Sequence, residues 1–300
     1  MFKVAWDHIY IHPLPDNHRF PMEKYDLLPK QLLHEGTLLE ENFFSPTKID
    51  LEDVFAIHDK SYWKKLSGLQ LNRQEQLRSG FPHSDELIQR ELVITGGSIQ
   101  AAKFALENGV AFNIAGGTHH AFADRAEGFC LLNDQAVAAS YLLRNNLASK
   151  ILIIDLDVHQ GNGTAKIFEN EPRVFTFSMH GEHNYPLRKE KSDLDVGLPD
   201  DITGSDYLEL LDQHLPVLLE KVQPDFIFYQ SGVDILETDK LGRLGVSIDD
   251  CKKRDDMVLT MAHRKSIPIM ASMGGGYSKD IKYIVEAHAN TYRVAKELWE

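Results

Sequence analysis

The segment Ile151-Leu152-Ile153-Ile154-Asp155-Leu156-Asp157-Val158-His159-Gln160-Gly161-Asn162-Gly163 joins an apolar, β-branched run to three ionisable side chains at alternate positions. Alternate residues of an extended chain share a side, so Asp155, Asp157 and His159 are expected to face one way. Asp157 and His159 would stand roughly 7 Å apart along such a backbone and can lean toward one ion, whereas Asp155 and His159 would stand roughly 13 Å apart. Asp155 is therefore expected to support the site or to serve a separate ion. Burying three such groups against an apolar strand without a cation would be costly. A hydrolytic zinc site takes three protein ligands and keeps a position open for water. Asp234, in Gln230-Ser231-Gly232-Val233-Asp234, is the natural third ligand.

Other groups could complete the chemistry. His119 and His120 follow Gly116-Gly117, whose flexibility permits a turn tight enough to aim both rings inward. Gly274-Gly275-Gly276-Tyr277 lacks the Lys-Ser or Lys-Thr of a phosphate-binding loop and is better read as carrying the Tyr277 hydroxyl to a reacting carbonyl. Cys130, close to the His pair, raises a cysteine-nucleophile reading. That reading leaves the acidic strand end unexplained, and Cys130 is expected to be small core filler. His180 and His183 are expected to line a crevice mouth or meet solvent.

The elements that must position these groups alternate along the chain. Apolar runs predict strands at Phe2 to Trp6, Ala111 to Ala115, Ile151 to Asp155, Val174 to Ser178, Phe226 to Gln230 and Ile267 to Ser272. Helical periodicity predicts helices at Ser84 to Asn108, Asp134 to Asn145, Ser205 to Val222, Asp249 to Lys265 and Ser278 to Leu298, several opened by a capping Ser or Asp. The stretch Gln70 to Ser84 reads as a polar surface loop. Strands alternating with helices imply an α/β fold, with a central, mainly parallel sheet covered by helices on both faces. The polar motifs fall at the carboxyl ends of the predicted strands, where such sheets place their ligand crevice.

With 300 residues, 43% of them hydrophobic, the chain can bury a large core, and no linker or repeat divides it, so residues 1–300 are expected to form one domain. The early charge and histidine in Met1 to His8 do not suit a secretory segment, and no apolar run is long enough to span a bilayer. Two cysteines argue against a disulfide framework. A cytoplasmic protein without a membrane partner is expected. The net charge of −13 disfavours a nucleic-acid partner and is compatible with a cationic or lysine-bearing one.

Taken in order, Gly116-Gly117-Thr118-His119-His120, Gly128-Phe129-Cys130, Asp155 to Gly163, Ser231-Gly232-Val233-Asp234 and Gly274 to Tyr277 resemble the histone deacetylase superfamily. The stretches Asp155 to Gly163 and Asp234 to Gly242, with His18 to Tyr25, are similar to its class IV and bacterial members. The resemblance covers essentially the whole chain. It implies an arginase-like fold, one zinc at Asp157, His159 and Asp234, and catalytic roles for His119, His120 and Tyr277, with Asp155 and Asn162 supporting the histidines. It implies that Gly128, Phe129 and Gly275 contact an acylated substrate. It also implies a structural potassium at Asp155, Asp157, His159, Ser178 and the Met179 carbonyl. Asn162 departs from the class I pattern, which has an aspartate there; a neutral amide can orient His120 but cannot offset an imidazolium.

On this reading zinc-activated water attacks an amide carbonyl, His120 removes its proton, and Tyr277 steadies the oxyanion. The substrate would be a small-molecule or lysine-bearing acylated amine. Two other readings stay open: a binuclear manganese ureohydrolase, which would need a second carboxylate where Ile235-Leu236 follow Asp234, and a non-catalytic acyl-lysine-binding module. Oligomeric state and acyl-chain length are not legible.

Overall fold

A computed structural model describes residues 1–300. Its strands are β1 (Lys3–Ala5), β2 (Phe43–Phe44), β3 (Val110–Asn113), β4 (Ile151–Asp155), β5 (Val174–Gly181), β6 (Leu194–Leu198), β7 (Phe226–Gln230) and β8 (Ile269–Ser272). They form one sheet in the order β2-β1-β3-β8-β7-β4-β5-β6, with every neighbouring pair parallel. The central strands are apolar at nearly every position because a parallel sheet covered on both faces gives them no wet side. Ile151 to Ile154 and Phe226 to Tyr229 are all fully buried.

The helices are α1 (Lys24–His34), α2 (Leu51–Phe55), α3 (Lys60–Ser67), α4 (Arg73–Ser79), α5 (Asp85–Asn108), α6 (Asp134–Arg144), α7 (Asn162–Phe168), α8 (Gly204–Val222), α9 (Ile248–Lys265) and α10 (Ile281–Trp299). One row packs α5 against α6 with α2, α3 and α7 nearby; the other runs α8, α9, α10, α1. Local chemistry sets the helix starts: the hydroxyls of Ser84, Thr203 and Ser247 accept from the N–H groups of Leu87, Asp206 and Asp250. No helix is long and apolar enough to cross a membrane.

The α/β expectation holds, with local corrections. Gln70 to Ser84 is not simply loop, because Asn72 and Glu75 form a reciprocal capping box that starts α4, and Phe81 is buried. β5 runs on to Gly181, three residues beyond its expected end. The edge strands β2 and β6 carry little strand signal in the sequence: one has two residues, and the other is half-exposed and carries Gly197.

Candidate metal centre

β4 delivers Asp155, but the chain does not continue extended beyond it. Asp155 Oδ1 accepts from the Asp157 N–H at 3.2 Å, and Asp157 Oδ1 accepts from the His159 N–H at 3.0 Å. Two successive turns, rather than strand alternation, therefore bring Asp157 and His159 together. β7 lies beside β4 and ends just before Asp234, whose Oδ1 accepts from the Val158 N–H at 2.9 Å. His159 Nδ1 stands 3.1 Å from Asp157 Oδ1 and 3.1 Å from Asp234 Oδ2.

These three side chains are buried, and one ligating atom from each lies within 4.8 Å of the others. Burial and the charge of Asp157 push Asp234 up to about 7. Burial opposes protonation of His159, but the same two carboxylates prevail and raise it to about 10. The cluster thus draws positive charge, and its O, N, O donor set fits a divalent cation such as zinc. Buried Ile235 and Leu236 follow Asp234, where a binuclear site would need another carboxylate.

The adjacent histidines diverge electrically. His119 Nδ1 lies 2.7 Å from Asp155 Oδ2, and its Nε2 lies 3.9 Å from Asp157 Oδ1. Burial disfavours its charge, yet Asp155 and Asp157 raise it to about 9. His120 Nδ1 lies 2.6 Å from Asn162 Oδ1; burial together with His119 and His159 drives it well below the ordinary imidazole range. The two rings are pushed in opposite directions although their centroids are 4.1 Å apart.

The loop after β8 closes over the cluster. The Gly275 N–H donates to Asp157 Oδ2 at 2.8 Å, and a Cβ at this position would run into the Asp157 and Asp234 carboxylates. Two residues on, the Tyr277 ring lies 6.4 Å from that of His159 and 6.0 Å from that of Phe129. Gly128 and Phe129 form a turn with φ 54° and 67°, and both line the crevice with His120 and Tyr277. The crevice opens into a cavity of about 370 Å³ edged by Arg19, Leu77, Arg78, Tyr185 and Leu241.

Ser178 stands beside Asp155 in the β4–β5 register, and its Oγ lies 2.9 Å from His180 Nδ1; buried Met179 follows. His180 is not at a wet mouth: it sits in the extended β5, where burial lowers it to about 4. His183 is exposed, 3.2 Å from Asp200. Burial pushes the Cys130 thiol up, as expected of core filler and unlike a nucleophile.

The residues to which the sequence assigned no role at the site are mostly walls and supports. Phe20 and Phe81 pack on Phe129 at 5.2 and 5.3 Å. The fully buried Lys24 donates to the Gly274 carbonyl at 3.0 Å. Tyr185 stands edge-on to His120 at 5.2 Å, and Glu127 accepts from both Tyr185 and Asn162. No periodicity or ligand spacing marks such positions; only the fold joins them.

A parallel α/β sheet with two carboxylates and an imidazole converging beyond its carboxyl edge forms a candidate metal-binding crevice. A model of the histone deacetylase domain matches residues 18–292, and the chain belongs to the histone deacetylase family. It is 42% identical over 298 residues to an uncharacterized protein of Picosynechococcus sp., covering 99% of both chains. It is 32% identical to histone deacetylase 2 of Arabidopsis thaliana, covering 89% of this chain and 72% of that one. Two solved structures share the fold: an HDAC homolog complexed with SAHA (TM-score 0.80, 24% identity, 97% of this chain and 82% of the other) and the HDA15 HD domain (TM-score 0.81, 21% identity, 99% and 90%).

Proposed function

We propose that residues 1–300 act as one catalytic domain that hydrolyses an N-acyl amide, freeing an amine such as a lysine side chain from its acyl group. The observation that carries this reading is the convergence of Asp157, His159 and Asp234 with His120 and Tyr277 in one aromatic-walled crevice. Asp157, His159 and Asp234 would hold one zinc, which supplies Lewis acidity that polarises the carbonyl and acidifies water.

His120, neutral through burial and neighbouring positive charge, takes the proton of the attacking water and returns it to the leaving amine. Burial and the nearby carboxylates keep the Tyr277 phenol protonated, so that it can donate to the developing oxyanion. His119, held by Asp155, whose carboxylate favours the charged imidazole, would add positive potential to the crevice. Phe20 and Phe129 give an apolar lining to the amine's alkyl stem, and Gly128 and Gly275 let backbone approach the substrate. Asp155, Asp157, His159, Ser178 and the Met179 carbonyl would hold a structural potassium, a reading supported by the adjacency of Asp155 and Ser178 in the sheet.

Asn162 beside His120, with the Asp234 to Gly242 stretch, favours a class IV, bacterial-type member. The net charge of −13 fits a cytoplasmic enzyme acting on a lysine-bearing or small acylated amine, without a nucleic-acid or membrane partner. Turnover over a panel of acyl lengths and amine carriers, read by mass spectrometry as free amine plus carboxylate, tests the proposal. Release from at least one carrier is expected; binding without release would instead indicate a reader module.

A further inference from the structure

We infer that Glu127 is a positioning residue that fixes which nitrogen of His120 is free to take a proton, an inference that rests on His120 being the base. Asn162 stands between them, with Oδ1 2.6 Å from His120 Nδ1 and Nδ2 donating to Glu127 Oε1 at 2.9 Å. On its own an amide could turn either end toward an imidazole, which can donate or accept. A carboxylate only accepts. Glu127 therefore requires the Asn162 NH2 to face it and the Asn162 oxygen to face His120. Nδ1 of His120 must then carry the hydrogen, leaving the lone pair on Nε2, the tautomer a base needs.

Glu127 is itself held from several sides. The Tyr185 hydroxyl donates to the same Oε1 at 2.6 Å, while its ring stands nearly perpendicular to that of His120. Arg125 Nε donates to Oε2 at 3.4 Å. The Glu127 and Cys130 main chains exchange hydrogen bonds of 3.0 and 2.9 Å, closing the turn that contains Gly128. A Cβ at Gly128 would stand 2.7 Å from His120 Cδ2, so the turn that presents the carboxylate also confines the imidazole. The negative charge missing from position 162 is thus supplied one hydrogen bond further out.

Exchanging the two partners tests this. Asn162→Asp alone sets two carboxylates against each other across the 2.9 Å contact, and Glu127→Gln alone leaves two amides free to pair in either sense. Each is expected to lower kcat by about tenfold or more, with KM little changed. The double variant restores an acceptor facing His120 and a donor facing position 162, and should recover most of the lost turnover. Long-range 1H–15N spectra of the zinc-loaded proteins should show a protonated Nδ1 and a bare Nε2 on His120 in the wild type and the double variant, and mixed tautomers in Glu127→Gln. A double variant no better than the worse single one, or a His120 spectrum unchanged in Glu127→Gln, would overturn the inference. The spectra read the tautomer whether or not an amide is cleaved, so failure of the hydrolase reading is separately visible.

Discussion

The Gly275 N–H donates to Asp157 Oδ2 at 2.8 Å, across 118 positions of sequence. It ties the loop after β8 to the turn after β4, and no side chain fits between that backbone and the carboxylates of Asp157 and Asp234. Gly275→Ala is expected to weaken zinc binding by roughly 10–100-fold. Overpacking should also cost about 1–3 kcal/mol of stability. Chelator competition and urea denaturation measure the two effects separately, and unchanged zinc affinity would detach Gly275 from the centre.

His120→Ala and Tyr277→Phe remove groups that touch the reacting atoms without removing a ligand. Turnover should fall by about 10²–10⁴-fold for the first and about 10²–10³-fold for the second. Zinc content, measured by mass spectrometry, should stay at the wild-type level. Undiminished turnover in either variant would remove that residue from the mechanism.

Lys24 is fully buried, with Asp234, Asp157 and Asp239 as its charged neighbours. Lys24→Met takes away that compensation and the bond to the Gly274 carbonyl. Burial outweighs those carboxylates and lowers Lys24 to about 8, so the metal-free protein should lose only the about 1–3 kcal/mol of an unsatisfied Gly274 carbonyl, and the zinc-loaded protein less, because the ion supplies positive charge to the same carboxylates. Parallel thermal melts check this; equal losses in both states would contradict it.

His58 makes acid stability measurable away from the centre. Its Nδ1 bonds the Phe122 carbonyl at 3.0 Å and its Nε2 accepts from the Asn133 N–H at 3.0 Å, tying the loop after the His pair to the start of α6. Burial lowers it from 6.5 to about 4. The unfolded chain therefore takes up the proton first as pH falls. The His58 contribution is complete above about pH 6.5, erodes between about 6.5 and 4, and is then flat, a total of roughly 3 kcal/mol. Urea midpoints of wild type and His58→Gln between pH 7 and 4.5 should converge on acidification; parallel curves would refute the assignment.

The reach of the sequence follows from the physics of each element. Ile151 to Asp155 and Phe226 to Gln230 were legible to the residue because continuous apolar runs leave a buried parallel strand no alternative. Asp157, His159 and Asp234 stood out because uncompensated charge beside such strands is costly. Their geometry was not legible: side-chain-to-backbone turns, rather than strand alternation, orient Asp157 and His159. Phe20 and Lys24 were marked only as part of the His18 to Tyr25 resemblance, without a role, and Glu127 and Tyr185 act through partners brought near only by the tertiary fold.

The central claim is that one divalent cation, held by Asp157, His159 and Asp234, makes this crevice a hydrolase. Titrating metal-stripped protein with zinc while following release of acetate from an acetyl-lysine substrate tests it most directly. Activity should be absent at the start, rise with each increment and level off at one zinc per chain, and Asp234→Asn should abolish the rise. Full activity in the stripped protein, or saturation only at two metals per chain, would contradict the account.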